Sequence, residues 1–236
     1  MSQPLLPINT VRLESIPADK RGLIKKHLAL VLQANKQTNL TRITSFEEGL
    51  LLHVEDSLAG LPEIDKAPNG LYADLGTGAG FPGIPLAIAS GRQTLLVDSV
   101  HKKTAILDSI VTELGIQGQV CTYTGRIEQL AREKREGFAV LTTRALASLA
   151  SLIELASPLL PFSGQLICYK AKIDEAELGN AERLKEKVGM RLVSDRAFFL
   201  SDGQTTRRIL VFEKYRHPAT KLPRREGMAQ KRPYSL

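Results

Sequence analysis

The segment DLGTGAGFPG, residues 74–83, combines a carboxylate at Asp74 with glycines at alternate positions from Gly76 to Gly80. The apolar residues just before it predict a short strand, and FPGIPLAIAS, which begins at Phe81, predicts the start of a helix. A glycine-rich turn between a strand and a helix is where α/β proteins bind nucleotide-like cofactors. The spacing therefore predicts a cofactor site at this turn.

The charge of the loop bears on which cofactor it binds. Gly78, Gly80 and Gly83 also satisfy the GxGxxG pattern of dinucleotide-binding loops, which place a pyrophosphate at the helix N-terminus. The carboxylate of Asp74 opposes a pyrophosphate but suits S-adenosylmethionine, which carries a sulfonium and an ammonium group and no phosphate. A P-loop is excluded, because no Gly-Lys-Ser/Thr follows. The loop favours S-adenosylmethionine, and a nucleotide-linked dehydrogenase stays open as an alternative.

Later positions are candidates for contacts with the nucleoside part of the cofactor. Asp98 ends the apolar segment QTLLVD, where a carboxylate can accept hydrogen bonds from both ribose hydroxyls. Its alternative role is to cap the following helix. Ile127 and Glu128 lie at the tip of the third predicted strand, which faces the adenine in this fold. They predict an apolar contact and an acceptor for the adenine amino group, and a solvated carboxylate is the alternative for Glu128.

An α/β sheet must bring these positions together. Strands are predicted at 71–75, 94–98, 119–124, 138–143 and 164–169, and helices at 82–90, 101–114, 126–134, 146–156 and 174–187. Two more strands, at 192–200 and 207–213, end as a hairpin that adds an antiparallel strand. The alternation predicts a doubly wound, mostly parallel seven-stranded sheet, the Rossmann-like arrangement of class I S-adenosylmethionine-dependent methyltransferases.

Helical patterns also precede the sheet. Apolar residues recur at helical spacing from Leu23 to Leu32, and Ser45 with Glu48 three residues later is a capping-box signature for a second helix. We expect these helices to pack near the ligand end of the sheet. The chain thus divides into an N-terminal helical extension at 1–68, a methyltransferase domain at 69–214 and a basic C-terminal tail at 215–236.

Charge is concentrated at the end of the chain. The 236 residues carry a net charge of +7, of which +6 lies from Lys214 onward, where seven Lys and Arg residues accompany only Glu226. A basic tail predicts a polyanionic partner, and we expect it to lie along RNA phosphates. A solvated tail without a partner and a tail folded back over the cofactor site are the alternatives.

Composition predicts a cytoplasmic protein. No apolar run approaches the roughly 20 residues of a membrane span, and the first residues lack the pattern of a signal peptide. Cys121 and Cys168 lie in separate predicted strands and form no CxxC, so we expect buried thiols and neither a metal site nor a disulfide framework.

The segment from Phe81 to Pro85 is more specific than a general methyltransferase loop. It resembles the bacterial small-subunit ribosomal RNA guanine-N7 methyltransferase family, RsmG or glucose-inhibited division protein B. The resemblance covers nearly the whole chain, through NLTRI at 39–43, HVEDSL at 53–58, VDSVHKK at 97–103, GRIE at 125–128, TRALASL at 143–149 and the tail LPRREGMAQKRPYSL.

The resemblance implies S-adenosylmethionine as cofactor and 16S ribosomal RNA, within a ribosomal particle, as substrate. A monomer without a metal is expected. Arg144 matches the family's arginine at the end of the fourth strand, beside the methyl-transfer site. The cofactor contacts from the loop and the resemblance together are Asp74, Gly76, Gly78, Phe81, Asp98, Ser99, Val100, Ile127, Glu128 and Arg144.

The chain departs from the family pattern on the side expected to face RNA. Leu52 precedes His53 where the family often has a basic residue. The family's Lys-Gly after the fifth strand is Lys170 and Ala171 here, and its Arg-His near the last strand is Arg207 and Arg208. These departures concern the handling of the substrate and not the cofactor.

Guanine N7 carries a free lone pair in the neutral base, so its methylation needs positioning and no general base. We assign positioning to Arg144, whose planar fork can donate to guanine O6 or to a phosphate. His53 and Asp56 share one helix face, where a structural hydrogen bond is the alternative to RNA contact. RNA contacts are predicted for His53, Lys170, Arg207, Arg208, Arg224, Arg225, Lys231 and Arg232.

A-form RNA hides N7 in a deep, narrow groove, so the target guanine must be unpaired or flipped out. Two alternatives remain beside methylation of ribosomal RNA: a small-molecule methyltransferase and a non-catalytic RNA-binding protein on the same fold. The intact loop from Asp74 to Gly83, together with Asp98, argues against the second.

Overall fold

A seven-stranded sheet forms the centre of the molecule in the computed structural model, which describes residues 6–9 and 11–235. Its order is β3-β2-β1-β4-β5-β7-β6. Only β7 runs antiparallel to its neighbours, β5 and β6, which confirms the predicted doubly wound, mostly parallel sheet. The strands are β1 Tyr72–Leu75, β2 Thr94–Asp98, β3 Val120–Thr124, β4 Val140–Arg144, β5 Gln165–Lys170, β6 Met190–Phe199 and β7 Thr206–Lys214.

Helices precede the sheet and fill most of its connections. Before the sheet lie α1 Ala18–Thr38, α2 Phe46–Gly49, a π-helix Leu50–Glu55, α3 Asp56–Leu58 and α4 Leu61–Lys66. Between strands lie α5 Gly83–Ser90, α6 His101–Leu114, α7 Ile127–Glu133, α8 Leu149–Ala156, α9 Glu175–Arg183 and α10 Lys185–Val188. A short α11, Met228–Lys231, lies in the tail.

Alternate strand residues point to opposite faces of the sheet and build a core on each side. On one face Leu75 and Leu141 pack with residues of α7, α8 and the tail. On the other face Leu96 packs with α1, α5 and α6, and Tyr72 packs beside α4. Both faces of the parallel strands are therefore covered, as this type of sheet requires.

The second N-terminal helix begins at its predicted cap but does not continue regularly. Ser45 Oγ accepts a hydrogen bond from Glu48 N at 3.1 Å, as the capping box predicts. The helix then widens into the π-helix Leu50–Glu55 before it resumes as α3. Single π-turns inside α-helices are frequent at functional sites, and this one carries His53.

Both segments outside the predicted central domain pack against it. Ile24, Leu28 and Val31 of α1 are fully buried in the core that α5 and α6 share. In the tail, Leu222 and Ala229 are buried in the core on the opposite face. The tail is therefore folded against the sheet domain, and the alternative of a solvated tail is wrong.

The burial predicted for the cysteines is half right. Cys168 is buried in β5, but Cys121 is exposed in β3. The reason is the place of β3 at the edge of the sheet, where fewer elements cover the strand.

Candidate active site

Asp74 lies at the end of β1 and holds the glycine loop in place. Its fully buried carboxylate accepts hydrogen bonds from Gly83 N at 3.0 Å and Thr142 Oγ1 at 2.7 Å. Burial raises the pKa of Asp74, and these hydrogen bonds oppose that shift. A Cβ at position 83 would lie 2.8 Å from Asp74 Oδ2, so this close approach requires glycine. The direct cofactor contact predicted for Asp74 is thus corrected to support of the loop.

A first cavity of about 270 Å³ lies where the carboxyl ends of β1 and β2 meet the start of α7. This edge of an open α/β sheet is where its ligands bind. Seven of the predicted cofactor contacts converge there, and apolar side chains such as Leu146 complete the wall. The seven are Gly76, Asp98, Ser99, Val100, Ile127, Glu128 and, through its bond to Asp98, Gly78.

Asp98 is oriented by the backbone around the first cavity. Its Oδ2 accepts from Gly78 N at 3.1 Å, and its Oδ1 accepts from Val100 N at 2.9 Å. Lys103 Nζ lies 3.9 Å from Oδ2. Val100, and not Asp98, is the cap residue of α6, so the helix-capping alternative is wrong. A carboxylate has about four acceptor positions, which leaves some of them for hydroxyl groups in the cavity.

Glu128 connects the first cavity to the tail. It is 5% exposed, so the alternative of a solvated carboxylate is wrong. Its Oε1 accepts a hydrogen bond from Gly227 N at 2.7 Å. Gln230, also in the tail, lines the same cavity. The tail therefore folds back over this site, which was the alternative to its predicted path along RNA.

A second cavity, of about 510 Å³, adjoins the first at Ala145, which lines both. Basic side chains, a carboxylate and apolar groups share its wall. Leu52 and Ala171, two of the departures from the family pattern, both contribute to it. The other lining residues are Ile43, His53, Asp56, Arg144, Tyr169, Lys170, Lys172 and Arg207.

Asp56 joins two arginines at the second cavity. The carboxylate is 3% exposed. Its Oδ2 lies 3.0 Å from Arg144 Nη1, and its Oδ1 lies 3.0 Å from Arg207 Nε. Breaking such a buried pair by removing one partner is strongly destabilising, at about 3–5 kcal/mol. The helical segment before the sheet is thereby fixed to the ends of β4 and β7.

His53 fixes the other side of Arg144. Its Nδ1 lies 3.3 Å from Arg144 Nη2, which can only donate, so Nδ1 is the acceptor. In the neutral ring Nε2 then donates to Thr41 Oγ1 at 2.8 Å. Burial and then the charge of Arg144 lower the pKa of His53 to about 4. The RNA contact predicted for His53 is corrected to the structural alternative, a bond between helix and domain.

Phe81 lies in an aromatic stack away from the first cavity. Its ring is stacked on His53 with centroids 4.5 Å apart, and His27 lies at 4.4 Å from it. The guanidinium of Arg144 lies 5.8 Å from the same ring. Phe81 is 4% exposed, so the cofactor contact implied for it is corrected to packing against His53 and Arg144. Arg144 lines the second cavity and not the first, so the cofactor contact implied for Arg144 is corrected as well.

A family model described as rRNA small subunit methyltransferase G, GidB, matches residues 21–201. The chain belongs to this family. The protein of that name from Carboxydothermus hydrogenoformans is 36% identical over 222 residues, which are 93% of this chain and 94% of the relative. The one from Lactiplantibacillus plantarum is also 36% identical, over 88% of this chain and 87% of the relative. The predicted family resemblance is confirmed.

Solved structures confirm the fold. The YcgJ protein of Bacillus subtilis has a TM-score of 0.52 at 12% identity, over 70% of this chain and all of that one. A precorrin-6y C5,15-methyltransferase of Geobacter metallireducens has a TM-score of 0.50 at 12% identity, over 67% and 87%. At this identity the likeness concerns the fold alone, which is the α/β, Rossmann-like class I methyltransferase fold.

As a member of the GidB family the protein is an rRNA methyltransferase, with S-adenosylmethionine as its cofactor. The first cavity fits this cofactor chemically. Asp98 offers acceptors for ribose hydroxyls, Ile127 and Val100 offer apolar surface for adenine, and Glu128 offers an acceptor for its amino group. Every helix in the described part of the chain falls short of the length and hydrophobicity of a membrane span. In the same residues, no three His, Cys, Asp or Glu side chains lie close enough together to hold a metal ion.

Four of the predicted RNA contacts are engaged in ion pairs. Lys170 Nζ lies 2.8 Å from Glu177 Oε1 and donates to Ala147 O, and Arg207 pairs with Asp56. Arg208 pairs with Asp195, and Arg224 forms two bonds of 2.6 Å with Glu154. For Arg224 the predicted RNA contact is corrected, because the partner carboxylate is 2% exposed and both bonds face the protein. Among residues 11–235, Arg225, Lys231 and Arg232 are exposed and have no ion pair.

Gln230 and Glu154 were not among the predicted functional residues. Their roles follow from the way the tail docks on α7 and α8, through contacts between positions that are 70 to 99 residues apart in sequence. No local pattern marks such a contact. Asp56 did carry a signal, its spacing of three from His53, although nothing indicated that it joins two arginines.

Proposed function

We propose that the protein transfers a methyl group from S-adenosylmethionine to N7 of a guanine in 16S ribosomal RNA. The observation that carries the proposal is the arrangement of two adjoining cavities, which meet at Ala145. The first suits the cofactor, and the second carries Arg144 at the point where they meet. Family membership supports ribosomal RNA as the substrate.

The side chains of the second cavity suit a methyl acceptor, such as guanine N7, that has no proton to lose. The lone pair of His53 Nδ1 is used by Arg144, and both oxygens of Asp56 are used by arginines. Neither group is poised to accept a proton. Guanine N7 has no proton to lose, so an acceptor of this kind reacts without one, whereas an exocyclic amine requires a proton acceptor.

Arg144 supplies orientation in this mechanism. When bound, S-adenosylmethionine supplies an electrophilic methyl group. Arg144 donates to guanine O6, the acceptor beside N7, and holds the lone pair of N7 towards the first cavity. Asp56 and His53 keep the guanidinium in place, and Tyr169 and Leu52 offer apolar surface that excludes water from the base.

The RNA must present an unpaired guanine to the second cavity, which has a volume in the range of small-molecule pockets. Lys172, exposed at its rim, and the tail cations Arg225, Lys231 and Arg232 would bind phosphates. In this proposal residues 69–214 carry the chemistry. The helical segment before the sheet contributes Leu52 to the wall of the second cavity, and the tail contributes Gln230 to that of the first. We further propose a cytoplasmic monomer whose substrate is RNA within a ribosomal particle.

The test is methyl transfer by the purified chain, with labelled S-adenosylmethionine. The substrates are small-subunit particles, naked 16S RNA, large-subunit RNA and a mixture of small metabolites. We expect label in 16S RNA, with more in the particle than in naked RNA, and digestion to 7-methylguanosine. Label in small molecules alone, or in no substrate, contradicts the proposal.

A further inference from the structure

The tail is held on the domain by contacts that resemble those of a protein interior. Leu222 and Ala229 are 3% and 1% exposed, and the carbonyl of Ala229 accepts from Ser151 Oγ at 2.7 Å. Arg224 pairs with the buried Glu154, and its guanidinium lies 3.9 Å from the centre of the Tyr234 ring. The tail thus has a defined position beside α7 and α8, and its polar groups have defined neighbours.

Two of those polar positions lie at the first cavity. Gly227 N donates to Glu128 Oε1 at 2.7 Å, and Gln230, three residues later, lines the cavity wall. Among residues 6–9 and 11–235, the other oxygen of Glu128 has no hydrogen-bond donor. The carboxylate of Glu128 therefore contacts the tail through Oε1, and its Oε2 is free to accept a hydrogen bond from a ligand.

We propose that the tail contributes Gln230 as a cofactor-binding residue, and that docking of the tail and binding of the cofactor are coupled through Glu128. This inference rests on S-adenosylmethionine as the ligand of the first cavity. A glutamine amide has a donor beside an acceptor, which matches the N6 and N7 edge of adenine. The carboxylate of Glu128 accepts from the same amino group while it holds Gly227.

Coupling between two sites is reciprocal. If the docked tail raises the affinity for the cofactor, the cofactor must stabilise the docked tail by the same factor. The tail also carries the exposed Arg225, Lys231 and Arg232. Docking therefore sets where these cations lie relative to the cavities, and the cofactor would prepare the surface that meets RNA phosphates.

The first experiment is calorimetric titration of the full chain with S-adenosylhomocysteine. Gln230→Ala should weaken binding by about two- to tenfold, the effect of one hydrogen bond of ordinary strength. The matched control is Gln129→Ala, because Gln129 is exposed on α7 and its side chain bonds only to Glu133 among the described residues. Equal affinities of Gln230→Ala and the unchanged chain overturn the role of Gln230.

The second experiment measures coupling without any substitution. Trypsin cleaves after the exposed Arg225 and Lys231, and the rate at which the tail is removed is followed by mass spectrometry of the intact chain. Saturating S-adenosylhomocysteine should slow this cleavage by the factor by which it stabilises the docked tail, while NAD should not. A cleavage rate that S-adenosylhomocysteine leaves unchanged overturns the coupling.

The two experiments separate this inference from the proposed function. Suppose that the unchanged chain binds S-adenosylhomocysteine, but Gln230→Ala has no effect and the tail is not protected. The role of Gln230 and the coupling are then wrong, and the proposed methyl transfer is unaffected. If the unchanged chain does not bind S-adenosylhomocysteine at all, both the inference about the tail and the proposed methyl transfer are wrong.

Discussion

Arg144 is the residue on which the proposed transfer depends most. Its guanidinium donates to Asp56, to the carbonyl of Leu52 at 3.3 Å and to His53, all on the helical segment before the sheet. These acceptors fix the group before RNA arrives. A guanidinium that is already held in place loses little conformational freedom when guanine binds. More of the free energy of its interaction with guanine can therefore be used to orient the base.

We predict that Arg144→Lys lowers the rate of methyl transfer by about ten- to hundredfold, since lysine loses one charged hydrogen bond of about 1.5–3 kcal/mol. The affinity for S-adenosylhomocysteine should change little, because Arg144 lies outside the first cavity. Single-turnover rates with small-subunit particles measure the first quantity, and calorimetry measures the second. The control is Arg191→Lys, whose side chain is exposed and pairs with Glu213. A normal rate for Arg144→Lys would show that Arg144 is only structural.

At the scale of elements, an aromatic stack joins three separate segments. His27 comes from α1, Phe81 from the glycine loop and His53 from the π-helix. His27 is fully buried, and its Nε2 lies 3.1 Å from the carbonyl of Ala79 in the loop. A Cβ at Gly80 would lie 3.0 Å from the same nitrogen, so the loop and α1 are closely fitted. The N-terminal helices therefore support the glycine loop from outside the sheet.

This stack predicts a stability that falls in acid. Burial lowers the pKa of His27 from 6.5 to about 3 and that of His53 to about 4. As pH falls below 6.5 the unfolded chain binds protons that the folded chain does not, so the free energy of unfolding decreases until the folded pKa is reached. Each histidine contributes at most about 1.4 kcal/mol per pH unit. His27→Gln, which keeps a donor for Ala79 O but does not titrate, should therefore have a shallower decline.

Melting temperatures between pH 6.5 and about 4 measure this slope. His101→Gln is the control, because His101 is exposed at the start of α6. An equal slope for His27→Gln and the unchanged chain would mean that His27 is already protonated in the folded state.

The elements differ in how far sequence predicts them. Alternating apolar strands and helices predict every strand of the sheet, and α6 and β2 have the predicted bounds, because local periodicity determines them. The π-helix Leu50–Glu55 was not predicted, since its apolar residues recur much as in an α-helix. Asp74 was placed correctly at the end of β1, but its contact with Gly83 depends on how the loop folds back.

Over the whole molecule, the formal positive charge exceeds the number of cations that are free to contact RNA. Lys214 is fully buried, with Nζ 2.7 Å from the carbonyl of Ser157, and burial lowers its pKa. Arg216 and Arg224 pair with glutamates. The sequence therefore predicts the basic character of the tail but overstates the number of cations that can meet RNA. Only folded contacts distinguish the paired cations from the exposed ones.

We predict that replacing Arg225, Lys231 and Arg232 with alanine weakens RNA binding and reduces its salt dependence. The log–log slope of affinity against salt should fall by roughly 0.7–0.9 for each phosphate that the variant no longer neutralises. Titrations of small-subunit RNA at several salt concentrations give the slope. Lys134→Ala is the control, because Lys134 lies at a groove beside the amino ends of the strands, away from both cavities. An unchanged slope would mean that these three cations do not contact phosphates and that other residues, such as Lys172, bind the RNA.

Methylation of guanine N7 in 16S ribosomal RNA can be read from the modified nucleosides of that RNA. Mass spectrometry compares 16S RNA from cells with the protein, cells without it, and cells that carry only Arg144→Lys. We predict one 7-methylguanosine that is present in the first, absent from the second and strongly reduced in the third. Identical 7-methylguanosine in the 16S RNA of cells with and without the protein would contradict this prediction.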